Sequence, residues 1–301
     1  EVSRIMKKVA IVGYAQHPIL ENAGALNEVE LIMPVVHQLF DELGISQNNI
    51  DFTCSGSCDY LQGAAFAFVE GLSAIQTNPP IKESHVEMDA AWAMYESMLK
   101  IQMGDADTAL IYGFGKSSPG RLDSIISLQM DPYYISPLWP DRVSLAAIQA
   151  RVLLEKNIIT PEQMITAVIE ARTNSKNNKN ALVTELVDKE AYLASEKISS
   201  PLNEFDCPPI SDGSSAMIIV SEEKAYEFTD HPILIEGIDH RIESSNIGSR
   251  DLSKPTGILA SIEQLKLEKT KFDVAELHTQ FSHEVPYLQS VLNLNAVPTN
   301  L

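Results

Sequence analysis

The most regular alternation of apolar and polar positions runs from Ser84 to Lys116. Ser84 to Met88 is short and can be extended. From Ala90 to Met103, the apolar residues Ala90, Ala91, Met94, Met98 and Ile101 recur at helical spacing. Gly104 lies just past that run and fits a C-cap. Thr108 to Tyr112 is a short apolar, β-leaning run closed by Gly113-Phe114-Gly115. A strand feeding straight into a mostly apolar helix predicts a helix buried under a sheet. Upstream, Lys7 to Tyr14 reads as a buried strand, and Leu31 to Leu43 as a helix capped by Gly44. Phe52 to Cys54 begins a second strand, Gly63 to Leu72 reads as helical, and Asn78-Pro79-Pro80 as a loop. The order β-α-β-α-β-α-β predicts an α/β fold with a mostly parallel sheet and helices on both faces.

Residues 117–160 break the pattern with Pro119, Gly120, Pro132, Pro137 and Pro140 among the aromatics Tyr133, Tyr134 and Trp139. They predict a long irregular excursion, a loop domain near a site or a surface lobe. Thr160-Pro161 with Glu162 starts a helix that reaches Arg172. Ser199 to Pro209 reads as a loop, Ile210 to Val220 as a turn into a strand, and Asp230-His231-Pro232 as a linker. Beyond it, Ile233 to Ile238 reads as a strand, Ser253 to Leu265 as a helix, Phe272 to Leu277 as a strand and Glu284 to Leu292 as a helix.

The chain has 301 residues, enough for two domains or one large one. A net charge of −19 argues against nucleic acid and against anionic membrane surfaces. Three cysteines make no disulfide framework, and the C-x3-C spacing of Cys54 and Cys58 has no matching pair, so no metal is expected there. Buried thiols in a reducing cytoplasm are the expectation. No apolar run reaches the length of a membrane span, and the N-terminus does not read as a signal peptide.

The helix after Ser84–Met88, then Gly104-Asp105-Ala106-Asp107, the apolar strand and Gly113-Phe114-Gly115-Lys116, resembles the nucleophile region of the thiolase superfamily. The nearest likeness is to the sterol-carrier-type and lipid-transfer thiolases. That resemblance implies two pseudo-symmetric βα halves layered α/β/α/β/α. The first half is residues 6–229, with a loop domain at about 117–160 that covers acyl-CoA; the second is 230–301. The likeness stops at Val297-Pro298-Thr299-Asn300-Leu301, where thiolases continue, so the second half is expected to be incomplete. The families place a nucleophilic cysteine at the start of the central helix. Here that position falls on Glu87, or with a small shift on Ala90. No cysteine lies between Cys58 and Cys207.

Without cysteine, the thiolase route of covalent acyl transfer is closed. The carboxylates Glu87 and Asp89 stand where the helix begins, and Asp89 alone is equally well a helix cap. In Glu276-Leu277-His278, the histidine matches the family position that polarises a thioester carbonyl as half of an oxyanion hole. Gln280 and His283 are polar neighbours at what should be a strand-to-helix turn. Cys54-Ser-Gly-Ser-Cys58-Asp59-Tyr60 reads as a structural turn or as the lining of an acyl pocket, with Cys58, Asp59 and Tyr60 as candidate contacts. A carbonyl-polarising histidine and a carboxylate suit retro-aldol cleavage. The chain looks like the steroid side-chain aldolases, a cysteine-free branch acting on β-hydroxy acyl-CoA. That likeness implies a small OB-fold and zinc-ribbon partner, a homodimer, acid/base tyrosines (Tyr60 and Tyr95 are candidates), and no cofactor beyond the coenzyme A of the substrate. An acyltransferase with another nucleophile and a non-catalytic acyl-CoA-binding or scaffold protein are the competing readings.

Overall fold

The computed structural model describes residues 6–62, 66–75, 80–294 and 296–301. In chain order the elements are β1 Val9–Gln16, α1 Glu28–Leu43, β2 Phe52–Gly56, α2 Asp59–Gln62, α3 Ala67–Gly71, β3 Glu83–Val86, α4 Ala90–Gln102 and β4 Thr108–Lys116. Then come α5 Leu122–Gln129, α6 Arg142–Glu155, α7 Pro161–Ser175, α8 Lys189–Ala194, β5 Lys197–Ser199, β6 Leu202–Asn203 and β7 Asp212–Ser221. The last are α9 Ala225–Phe228, β8 Ile233–Ile235, α10 Thr256–Leu265 and α11 Glu284–Val291. Residues 63–65 of the expected Gly63–Leu72 helix lie outside the described residues, as do Asn78 and Pro79 of the expected loop.

The chain forms two compact units. The first takes the chain up to Gly120 together with Ile210–Ile238; the second takes Arg121–Pro209 and Asp239–Leu301. The first unit is built on a six-stranded sheet in the order β3-β2-β4-β7-β1-β8. β2 pairs in parallel with β3 and β4, whereas β7 runs antiparallel to both β4 and β1, and β8 antiparallel to β1. The sheet is therefore mixed, which corrects the mostly parallel expectation. Strand direction leaves no trace in a run buried on both faces. Ile233–Ile235, part of the Ile233–Ile238 strand expected to open the second half, adds an edge to this sheet.

Two-sided burial explains the composition of β4. Leu110 and Tyr112 join Ile32, Val36, Leu39, Ile218 and Val220 in the core under α1. Ala109 and Ile111 point the other way, into the core under α4 with Phe52, Cys54, Ala93, Met98 and Ile101. A strand covered by helices on both sides reads as an unbroken apolar run. It also continues to Lys116, so Gly113-Phe114-Gly115 lies within the strand and does not close it. α1 starts on a capping box between Asn27 and Glu30 and stops at Gly44, whose φ is +65°.

The second unit departs from two expectations. Residues 117–160 are largely helical: α5 and α6 occupy the stretches free of proline, and Pro132, Pro137 and Pro140 fall between them. Ala147, Ala150 and Leu153 of α6 pack with Met164, Leu202, Phe281 and Tyr287. The Phe272–Leu277 strand does not form. Its alternation is real, but the one ladder contact is a bridge between Ala275 and Thr299, and Val274 is 49% exposed. The segment's backbone meets Pro298 and Asn300 through Ala275, too short a pairing to make a strand.

α4 meets the sheet on two glycines. A Cβ on Gly56 would lie 2.3 Å from the carbonyl carbon and oxygen of Asp89, and one on Gly113 would lie 2.8 Å from the Ala90 Cβ. Gly115 has nothing within 4 Å of its Cβ position and serves as a control. Because backbone cannot rotate away as a side chain can, we expect Gly56→Ala to cost at least about 2 kcal/mol. Gly115→Ala should be nearly neutral. Urea denaturation of the two variants decides it, and an equal midpoint for both would contradict this packing.

Candidate functional site

Five of the residues singled out in the sequence converge at one end of the first unit's sheet. β2 and β3 run in parallel and end side by side, with Ser55 opposite His85 and Gly56 opposite Val86. Beyond β2 the chain turns through Ser57 and Cys58 into α2; beyond β3 it passes Glu87, Met88 and Asp89 into α4. Cys58, Asp59, Tyr60, Glu87 and Asp89 therefore share this corner.

Each has a defined place. Asp89 is the N-cap of α4; its Oδ1 accepts from the backbone N–H of Ala91 at 3.0 Å and of Trp92 at 3.3 Å. Glu87 is exposed, and its Oε1 accepts the backbone N–H of Asp59 at 2.7 Å, tying the two loops together. Asp59 is buried and accepts from the Ser57 hydroxyl at 2.9 Å. The Cys58 thiol donates to the Met88 carbonyl at 3.2 Å. Burial raises the Cys58 pKa, and Glu87, Asp89 and Asp59 push it the same way. Tyr60 is 42% exposed, its phenol pKa raised by partial burial and then by Cys58.

One participant escaped the sequence reading. The His85 ring stacks on Phe68 at a centroid distance of 4.0 Å and an interplanar angle of 9°. Its Nδ1 meets the Ser55 hydroxyl at 2.9 Å and its Nε2 lies 3.4 Å from Glu87 Oε2. The signal was present as His85-x-Glu87, alternate positions at a strand end, which bring two side chains to one side.

Of the remaining candidates, Tyr95 lies within α4, and His278, Gln280 and His283 belong to the second unit. His278 is exposed in the irregular segment ahead of α11, since the strand expected to deliver it is absent. Gln280 lines an open hollow of about 240 Å³ with Phe205, Cys207, Phe281 and Ser282, and its backbone N–H donates to Glu284. His283 is fully buried: Nε2 meets Gln149 Oε1 at 3.3 Å, while Nδ1 has no partner among the described residues.

Burial lowers the His283 pKa from 6.5 to about 4. The folded chain thus refuses a proton that the unfolded chain accepts below pH 6.5. Stability from this residue is complete above pH 6.5, is lost progressively as pH falls, and levels off below about pH 4. The loss is on the order of 3 kcal/mol. Denaturation midpoints between pH 7 and pH 4 should fall more steeply for the wild type than for His283→Gln; parallel profiles would contradict the buried neutral imidazole.

No family model matches the chain. It is 26% identical over 295 residues to an acetyl-CoA acetyltransferase of Methanocaldococcus jannaschii, covering 92% of this chain and 74% of that protein. It is 25% identical over 211 residues to sterol carrier protein 2 of Bos taurus, covering 63% of this chain and 39% of that one. Among solved structures, the Ltp2-ChsH2(DUF35) aldolase superposes with a TM-score of 0.72 at 20% identity, covering 95% of this chain and 77% of that chain. Human mitochondrial 3-ketoacyl-CoA thiolase in complex with CoA superposes with a TM-score of 0.73 at 14% identity, covering 98% and 85%. Among the described residues, no helix is long and apolar enough to cross a membrane. The fold is that of the thiolases, and the sequence relatives are acetyl-CoA acetyltransferase and sterol-carrier proteins.

Proposed function

We propose that the chain cleaves a carbon–carbon bond in a β-hydroxy acyl-CoA by a retro-aldol route, together with a partner protein. The observation that carries this reading is the chemistry of the α4 start, where a thiolase would hold its nucleophilic cysteine. The chain has Glu87, Asp89 and Ala90 there, and Asp89 is committed to capping. Glu87 remains as an exposed carboxylate. A base at that point removes the β-hydroxyl proton; the Cα–Cβ bond breaks, the β-carbon becomes a carbonyl, and the electron pair moves into a thioester enolate. The enolate oxygen needs a hydrogen-bond donor. Fold similarity to an aldolase assembled from two proteins supports both the reaction and the need for a partner.

The similarity to acetyl-CoA acetyltransferases favours a second reading, acyl transfer through another nucleophile. The thiol at this corner is Cys58, and its surroundings oppose it. Burial and three neighbouring carboxylates raise its pKa, which keeps it protonated at neutral pH, and the thiolate is the reactive form.

Incubation with acetyl-CoA followed by intact mass should show no acetyl adduct. With the partner supplied, β-hydroxy acyl-CoA cleavage should fall at least about 100-fold in Glu87→Gln. A stoichiometric adduct on Cys58 would establish the transferase reading. A folded, fully active Glu87→Gln would remove the proposed base, and acyl-CoA binding without turnover would point to a carrier.

We also propose a homodimer through β3. This strand is the outer member of the sheet order and keeps one side of its backbone unpaired among the described residues, an edge that invites strand addition. Light scattering at micromolar concentration should give twice the chain mass; a monomer would count against it.

A further inference from the structure

We infer that Asp59, His85 and Glu87 form a binding site for one divalent transition cation of the zinc type. Their donor atoms all lie within 4.8 Å of one another. The site uses neither Cys54 nor Cys58, so it is separate from the cysteine spacing in the sequence.

Charge gives the first reason. Asp59 is only 6% exposed and its backbone holds the Glu87 carboxylate at 2.7 Å, so two carboxylates meet at the edge of the interior. Among the described residues, neither has a lysine or arginine in ion-pair distance, and the basic group beside them is His85. Buried carboxylates are normally paired with a cation or ligate a metal.

The setting of His85 gives the second. Its ring is fixed by stacking on Phe68 and by the Ser55 hydroxyl at Nδ1. Outer partners of this kind orient metal-ligating imidazoles and fix their tautomer. With Nδ1–H donating to Ser55, Nε2 turns a lone pair toward Glu87 Oε2. Their separation of 3.4 Å is long for a hydrogen bond. It matches the edge of a tetrahedron with metal–ligand bonds of about 2.1 Å, about 3.4 Å. In that tautomer, a cation between the two lone pairs converts a repulsive contact into an attractive one.

The donor set gives the third. One imidazole nitrogen and two carboxylates suit zinc, manganese, iron or cobalt better than the all-oxygen shells of calcium and magnesium. Three protein ligands leave a position for water. Glu87 is held through Oε1 by the Asp59 backbone, which leaves Oε2 for the ion, while Asp59 and His85 are held by their own neighbours.

This site stands whether or not the chain cleaves an acyl-CoA, and it is read by binding alone. The two roles of Glu87 oppose each other, because a cation on Oε2 takes the lone pair that proton abstraction would use.

The test is calorimetric titration of the chelator-stripped full chain with zinc chloride, paired with cobalt(II) absorption. One equivalent per chain is expected, with ligand-field bands and no thiolate charge-transfer band. Ser55→Ala should weaken binding about 10- to 100-fold through loss of the outer partner. Glu87→Gln, a change at an exposed side chain that leaves the fold intact, should weaken it about tenfold or more, and His85→Ala should abolish it. Absence of a stoichiometric site in the wild type overturns the inference. So does a thiolate band, or affinity unchanged in both Glu87→Gln and His85→Ala.

Discussion

The close seating of α4 on Gly56 and Gly113 is the constraint on which the rest of the first unit depends. With no side chain on either glycine, the helix start comes to backbone contact with the end of β2 and lays its Ala90 Cβ against the middle of β4. That approach sets where Asp89 caps, where Glu87 emerges, and how near Cys58 comes to the Met88 carbonyl. It also explains why the first helical residue is small: the Ala90 Cβ lies against Gly113. The apolar face of α4 then needs only to fill the space behind this contact, which Ala93, Met98 and Ile101 do.

Once the backbone is fixed this tightly, the electrostatic character of the corner follows from its side chains. A helix N-terminus draws negative charge, and Asp89 supplies it directly. Glu87 and Asp59 add two more carboxylates nearby, and the effect on Cys58 is opposite to the activation a thiol nucleophile needs. A catalytic thiol usually sits among positive partial charges. Three carboxylates in so small a space disfavour a thiolate there.

Much of the first unit was legible in the sequence. α4, its Asp89 cap, Gly104 beyond its end and the Thr108–Tyr112 run carry their own local signals, and the resemblance to thiolases rested on the same residues. The direction of β7 was not legible, because strands buried on both faces show neither alternation nor orientation. Residues 117–160 looked irregular because prolines were counted across the whole stretch, when they mark only the boundaries of α5 and α6. Phe272–Leu277 had a strand's pattern, yet pairing is a property of two segments and only one was read. His85 was missed for a related reason: it matters through Ser55, Phe68 and Glu87, contacts that exist only once β2 and β3 lie side by side.

β3 is only four residues long, yet it is at once the open margin of the sheet and the segment that aims His85 and leads into Glu87. A margin so short has little stiffness of its own. A strand added there would lend rigidity to the corner, and assembly through this margin would couple to site geometry by changing how firmly the same side chains are held.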